Sequence, residues 1–430
     1  MTEQGKHWDT AYEWKAVTLL TIGFGLVGLD RWIIAPLFPA IAPDLHLNYQ
    51  DAGNIIGALG LAWGVAAVVL GGLSDRIGRK RVLVPAIVLF SLLSGLTGVA
   101  GGLTSLLLIR SVMGVTEGAF CPTSFATTAE ASKPSRRGLN QGIQQSTFAL
   151  FGLAFAPIIA TQLLHVMSWR GVFMLVAVPG LITAVLLAIT IREPVTVRGG
   201  GTHGGAHGHG DIAAQRAPFS EIFKHRNVPL GMLGLLCAMT GIFVLSALTP
   251  SYLTDYLKLS QGQMGFVISA IGFGGFFGQF GLPGLSDLFG RRIMAVIGFA
   301  VGAVFLWLFI NTGANPPLLF ALLFGTTIFA FGLFALITGP IATEAAPLGL
   351  ISSAAGIIIG AGEIFGGGVA PAIAGGIAQH YGIQYVPYFA LAGLVAGAIV
   401  SLFLQETAPR KAKSAVSDLD KLEASGDGVV

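Results

Sequence analysis

Charge is what this chain has least of. Lys, Arg, Asp and Glu together make up 10% of its 430 residues, against roughly 25% in soluble domains. So little charge cannot cover a water-facing surface, and most of the exterior is expected to face the lipid bilayer. Cysteine is nearly absent: Cys121 and Cys237 both fall in apolar stretches, and no disulfide framework is implied. There is no Gly-Lys-Ser/Thr phosphate loop, no nucleophile–base arrangement and no metal-ligand spacing. Enzyme chemistry, ATP-driven work and a resident cofactor are therefore not expected. His203, His207 and His209 sit in a run so rich in glycine that it reads as a spacer rather than a metal site. The N-terminus is polar, with no cleavable signal pattern before the first apolar run.

What is present is 53% hydrophobic residues, 61 glycines and a series of long apolar runs. A membrane helix needs about 20 apolar residues. Twelve runs qualify, from 16–38 at the start to 384–404 at the end. The fifth (139–164) and eleventh (350–376) are long and interrupted by Gly and Pro, so both are expected to tilt or bend. Of the 24 Lys and Arg, 20 fall in the N-terminus, the even-to-odd loops and the tail. Only Arg170 and Lys258 lie on the other side. That bias predicts both termini in the cytoplasm, and the expected location of this multi-pass protein is the plasma membrane (the inner membrane of a bacterial cell). The net charge of +3 reports this orientation, and no nucleic acid partner is expected.

One segment occurs twice. Residues 71–81 read GGLSDRIGRKR and residues 284–292 read GLSDLFGRR, so that Asp75 and Asp287, Gly78 and Gly290, and Arg79 and Arg291 each stand 212 apart. The same offset relates Leu47 to Leu259, Gly53 to Gly265 and Gly60 to Gly272, while Pro157 and Pro371 are 214 apart. An even number of spans per repeat gives both copies the same membrane direction. The expected fold is all-α, with twelve transmembrane helices in two six-helix parallel-repeat bundles around a central cavity. The first bundle is 1–191 and the second 228–405. Between them, 192–227 is a cytoplasmic linker whose end, 217–226, could form a short amphipathic helix. Residues 406–430 are a charged tail expected to be disordered.

Five ionisable residues fall inside the spans: Asp30 and Arg31 in the first, Arg110 and Glu117 in the fourth, and Glu363 in the eleventh. Each is unfavourable by about 2.5–3.5 kcal/mol on insertion scales, so each is expected to face water, cargo or another charge. Arg110 and Glu117 share a helix face two turns apart. The 212 offset lands Asp30, Arg110 and Glu117 on Ile242, Leu322 and Phe329, so this charge is not duplicated. Packing does not require such asymmetry, whereas coupling chemistry can use it. Glu363 lies among glycines and could line the path from the second half. Gln144, with Gln145 and Ser146, could hydrogen-bond a substrate, and Trp63 and Trp32 could face the cavity.

The loop carrying Gly71, Asp75, Arg76, Gly78, Arg79 and Lys80 resembles the G-x-x-x-D-R-x-G-R-K signature of the major facilitator superfamily. The second copy is degenerate, with Pro283 and Leu288 at two signature positions. The resemblance implies a cytoplasmic gate latch, in which Asp75 caps a helix and pairs with Arg79, with Asp287 and Arg291 as the second copy. Arg110, Gly114 and Gly118 resemble the superfamily's motif associated with proton coupling. Leu29-Asp30-Arg31 with Arg110 and Glu117-Gly118, together with Trp169-Arg170, resembles its anion:cation symporter branch. Trp32 stands where that branch usually has Asn. The resemblance implies a monomeric carrier that moves a small organic anion, a carboxylate or sugar acid, with protons as the coupling ion. Asp30 and Glu117 would then be proton sites, Arg110 would hold Asp30, and Arg31 would meet the substrate carboxylate. A spinster-like exporter of lysolipids and a multidrug/proton antiporter are the alternatives.

Overall fold

A computed structural model describes residues 8–70, 74, 77–133, 136–192, 223–345 and 351–408. Among these residues every regular element is helical, and eleven helices are long and apolar enough to cross a membrane. They are α1 (Thr10–Leu45), α3 (Arg79–Thr97), α4 (Leu103–Ala131), α5 (Leu139–Leu163), α6 (Trp169–Thr190), α7 (Asn227–Tyr256), α8 (Gln261–Phe289), α9 (Arg291–Ile310), α10 (Pro316–Ile341), α11 (Gly356–Tyr381) and α12 (Ile383–Ser401). A further long helix, α2, covers Tyr49–Leu70. Gly71, Asp75 and Arg76 lie outside the described residues, as do most of the linker and the tail beyond residue 408.

Proline explains the irregular places. In α1 the regular helix halts at Ile33, because Pro36 has no N–H to donate to the Trp32 carbonyl. The discontinuity falls directly after Asp30, Arg31 and Trp32. α5 widens into a π-helical stretch over Leu150–Phe155, just before Pro157. α11 does the same over Gly362–Val369, just before Pro371. A wide turn relieves the clash of a proline ring with the preceding turn.

The duplication read from the loop signature extends to backbone geometry. Asn48 and Asp51 exchange reciprocal capping hydrogen bonds of 2.9 and 3.0 Å at the start of α2. Ser260 and Gln263, 212 residues later, exchange bonds of 3.0 and 3.3 Å at the start of α8. His46 (φ 54) and Lys258 (φ 57) adopt the left-handed conformation at matching positions, and so do Gly78 (φ 108) and Gly290 (φ 104).

The first six helices pack mainly on one another, with α2 on α4, α3 on α6 and α1 on α5. The last six do likewise, with α8 on α10, α7 on α12 and α9 on α10. The two groups meet along α2–α11 and α5–α8. The seams use related residues: a Cβ on Gly53 would strike the Pro371 carbonyl, and one on Gly265 would crowd the Pro157 carbonyl. Gly272 lies directly against the backbone of Leu153 and Ala154. At the end away from the termini, the Tyr49 hydroxyl donates to Asp255 (2.8 Å) and the Gln50 amide donates to the Ala372 carbonyl (3.0 Å).

Gly272→Val should overpack the α5–α8 seam and lower stability by about 1–3 kcal/mol. Gly262→Val, at a position with open space, should change it little. Thermal unfolding of the two detergent-solubilised variants checks the contrast.

Candidate functional site: buried charges around a central cavity

A cavity of about 170 Å³ lies between the two groups of helices. Residues from α1, α2, α4, α5, α7, α8, α10 and α11 line it, and among the described residues none comes from α3, α6, α9 or α12. Its wall is dominated by aromatic rings, among them Trp32, Trp63, Phe243 and Phe334. Among the described residues, Arg31 is the one basic member of the lining and Glu363 the one acidic member.

Arg31 Nη2 lies 3.6 Å from Glu363 Oε2, with both side chains buried. This ion pair joins α1 to α11 across the seam. The guanidinium also lies against aromatic rings, 4.7 Å from the centre of Phe243, 5.6 Å from Trp63 and 5.8 Å from Trp32. Such contacts partly replace lost hydration of the cation. Arg31 Nε and Nη2 have no hydrogen-bond partner among the described residues, and neither has Glu363 Oε2.

Behind this pair lie the other three buried charges. Asp30 accepts a hydrogen bond from Ser94 of α3 at 2.8 Å. Arg110 donates through Nη1 to the main-chain oxygen of Asp30 at 2.7 Å, rather than to its carboxylate. The Arg110 guanidinium lies 5.5 Å from the Phe173 ring. Both Glu117 oxygens are buried without a hydrogen-bond partner among the described residues. Arg31, Asp30 and Arg110 all act on Glu117 electrostatically. Two guanidiniums and three carboxylates thus form one group. Fully ionised, it would carry a net charge of −1 in a medium that tolerates isolated charge poorly.

The predicted site residues divide accordingly. Arg31, Trp63 and Glu363 line the cavity, and Asp30, Arg110 and Glu117 cluster just behind it. Gln144 does not line it: it is buried and donates to Ser124 of α4 at 3.1 Å, fastening α5 to α4. Its neighbour Gln145 faces the cavity instead, together with Gln279 and Thr338. One residue of helix rotation, about 100°, separates the two outcomes. Phe243, the ring nearest Arg31, went unnoticed in the sequence, where nothing distinguishes it from other apolar residues of α7.

The residues expected to form the gate, where described, lie near the helix ends where Glu13 and Glu406 sit. Arg79 forms an ion pair with Glu130 at 2.7 Å and donates to Ser74 Oγ at 2.6 Å. Arg291 pairs with Asp287 at 2.6 Å and Glu344 at 3.0 Å, and donates to Ser286 Oγ at 2.6 Å. Asp75, the expected partner of Arg79, lies outside the described residues, as do Gly71 and Arg76. Glu130 and Glu344 were missed, although they stand 214 apart like Pro157 and Pro371. Glu406, assigned by sequence to the tail, accepts from the backbone N–H groups of Arg291 (2.8 Å) and Arg292 (3.3 Å) and caps α9. Buried Glu13 was also missed. It accepts from Trp8 (2.8 Å), Arg136 (2.6 Å), Asn140 (3.1 Å) and the Lys133 N–H (3.2 Å).

Buried charges meeting at a cavity between two packed groups of membrane helices define the carrier class of protein. The chain belongs to the Major Facilitator Superfamily, whose profile matches residues 20–359 and again 231–425. A relative from Cupriavidus pinatubonensis, named a probable 4-methylmuconolactone transporter, is 28% identical over 84% of this chain and 83% of its own length. The hexuronate transporter of Bacillus subtilis is 28% identical over 56% of each chain. Among solved structures, a bacterial homologue of the human lysosomal transporter Spinster, inward-facing and unoccupied, superposes with a TM-score of 0.71 at 17% identity. It covers 91% of this chain and 95% of that one. A mutant form of the nucleoside transporter NupG gives 0.75 at 12% identity, over 92% of this chain and 100% of that one. This chain is therefore a multi-pass membrane transporter and not an enzyme.

Glu13→Ala would leave the Asn140 amide and the Lys133 N–H without their carboxylate, at about 1–3 kcal/mol of stability. Thermal unfolding of the purified variant should show that loss, and no loss would mean Glu13 does not hold α1 to α5.

Proposed function

We propose that this chain is a secondary active carrier that moves a small organic anion together with protons by alternating access. Its twelve long helices act as two six-helix bundles, with the domain bounds expected from the sequence. Both termini lie in the cytoplasm and the protein works as a monomer in the plasma membrane, without a resident cofactor. The observation that carries this reading is Arg31: a buried guanidinium, at a central cavity, whose Nε and Nη2 donors are unspent among the described residues. The relatives named as transporters of hexuronate and 4-methylmuconolactone support an organic acid as cargo.

Charge balance supports proton coupling. Fully ionised, the buried group is one negative charge in excess, and an anion entering beside Arg31 would add another. Proton uptake by Glu117 or Asp30 restores the balance in a low dielectric. When the bundles rock, the Tyr49–Asp255 and Gln50–Ala372 contacts part at one end of the seam. The arginine–carboxylate clusters around Arg79 and Arg291 rearrange at the other.

Two expectations test this. Arg31→Ala should weaken organic-acid binding by about 10–100-fold, the loss of hydrogen bonds to a charged group. Calorimetry on the purified carrier measures it. Stabilisation by lysolipids with none by organic acids would favour the spinster-like exporter instead. Separately, Asp30→Asn and Glu117→Gln should retain counterflow exchange in liposomes yet lose accumulation driven by a pH gradient. Unchanged accumulation in both variants would remove these carboxylates from the proton path.

A further inference from the structure

We infer that the cavity selects a flat, largely apolar monocarboxylate, of the kind an aromatic acid represents, over a polyhydroxylated sugar acid. The inference rests on reading Arg31 as the anion site and goes on to name the chemistry of the rest of the cargo.

The first ground is the inventory of polar groups. A sugar acid carries several hydroxyls, and each must find a hydrogen-bond partner once out of water. The polar uncharged groups of the lining, among the described residues, are the side chains of Gln145, Gln279 and Thr338 and the indole N–H groups of Trp32 and Trp63. Thr338 already donates to the Phe334 carbonyl at 2.8 Å. Two amides and two indole donors remain, the indoles without a hydrogen-bond partner among the described residues. A sugar acid's hydroxyls also need acceptors, which among these remaining uncharged groups only the two amides supply. The rest of that wall is apolar. A flat ring makes no such demand and presents its faces and edges to Trp32, Trp63 and Phe243.

The second ground is the geometry at Arg31. Nε and Nη2 lie on the same edge of a guanidinium, the edge that receives a carboxylate in two parallel hydrogen bonds. Both are without a hydrogen-bond partner among the described residues. The Phe243 ring covers one face of the guanidinium at 4.7 Å, and both donors are buried, so an incoming carboxylate takes that edge by displacing its neighbours, Glu363 first. Glu363 stands 3.6 Å away, close enough to neutralise the cation but beyond hydrogen-bond distance. One edge without hydrogen bonds, held only by the longer contact to Glu363, suits a single incoming carboxylate. A second would meet Glu363 with no further basic residue among the described residues of the lining. Glu363 thus competes with the ligand for Arg31.

The test uses the purified full-length carrier titrated with benzoate, D-glucuronate and benzyl alcohol, followed by calorimetry. Benzoate should bind at least about 10-fold more tightly than D-glucuronate, the consequence of burying unpaired hydroxyls. Benzyl alcohol, which keeps the ring and lacks the charge, should bind at least about 10-fold more weakly than benzoate. Glu363→Gln should tighten benzoate binding by removing the competitor. D-glucuronate binding as tightly as benzoate or more so would overturn the selectivity and leave Arg31 as an anion site. Benzyl alcohol binding as tightly as benzoate, or neither acid binding, would overturn both. The ligand comparison uses the unaltered protein, so it stands even where a variant fails to fold. A Glu363→Gln protein that folds and binds benzoate no more tightly would overturn the competition.

Discussion

A cation held in hydrocarbon needs a counter-charge, polarizable neighbours or both, and Arg31 has both. Glu363 supplies the counter-charge from the opposite group of helices. Phe243, Trp63 and Trp32 supply the rings. The consequence reaches beyond local comfort, because the partner sits across the seam. The two groups of helices are joined at their centre by an ion pair without hydrogen bonds. Such a contact is attractive yet readily exchanged, which suits the carrier mechanism proposed above.

The seams explain how the two groups can lie so close. Gly53 and Gly265 remove side chains at related positions, and Pro371 and Pro157 present carbonyls there. The prolines also force the wide turns in α5 and α11. In α11 that turn contains Glu363 itself. The residue that meets Arg31 is therefore set by a helical irregularity rather than by a regular repeat. The same is true in α1, where Pro36 ends the first helical segment just after Arg31. Both partners of the central pair stand beside a proline-induced break.

The charge clusters near the termini do different work. Arg79 with Ser74 and Glu130, and Arg291 with Ser286 and Glu344, repeat one arrangement within each group of helices. Glu406 extends the second by capping α9. Glu13 gathers the start of α1, the end of α4 and the start of α5 around one buried carboxylate. These contacts hold each group together where loops meet water, while Arg31 at the central cavity keeps Nε and Nη2 without hydrogen bonds among the described residues.

The sequence by itself determined the membrane class, the duplication and the identity of every charge at the cavity. Composition and periodicity are local properties, and a charge in an apolar run announces itself wherever the chain folds. The signature loops also pointed to Arg79 and Arg291, though their partners Glu130 and Glu344 escaped notice, since each pairing spans a helix and its neighbour. Only the tertiary structure decided that Arg31 meets Glu363, that Arg110 reaches the backbone of Asp30, and that Gln145 rather than Gln144 faces the cavity. Those outcomes turn on about 100° of helix rotation per residue and on proline-driven breaks that shift the rotational phase. Phase accumulates along a helix and is set by what packs against it, and one strand of residue letters does not record its neighbours.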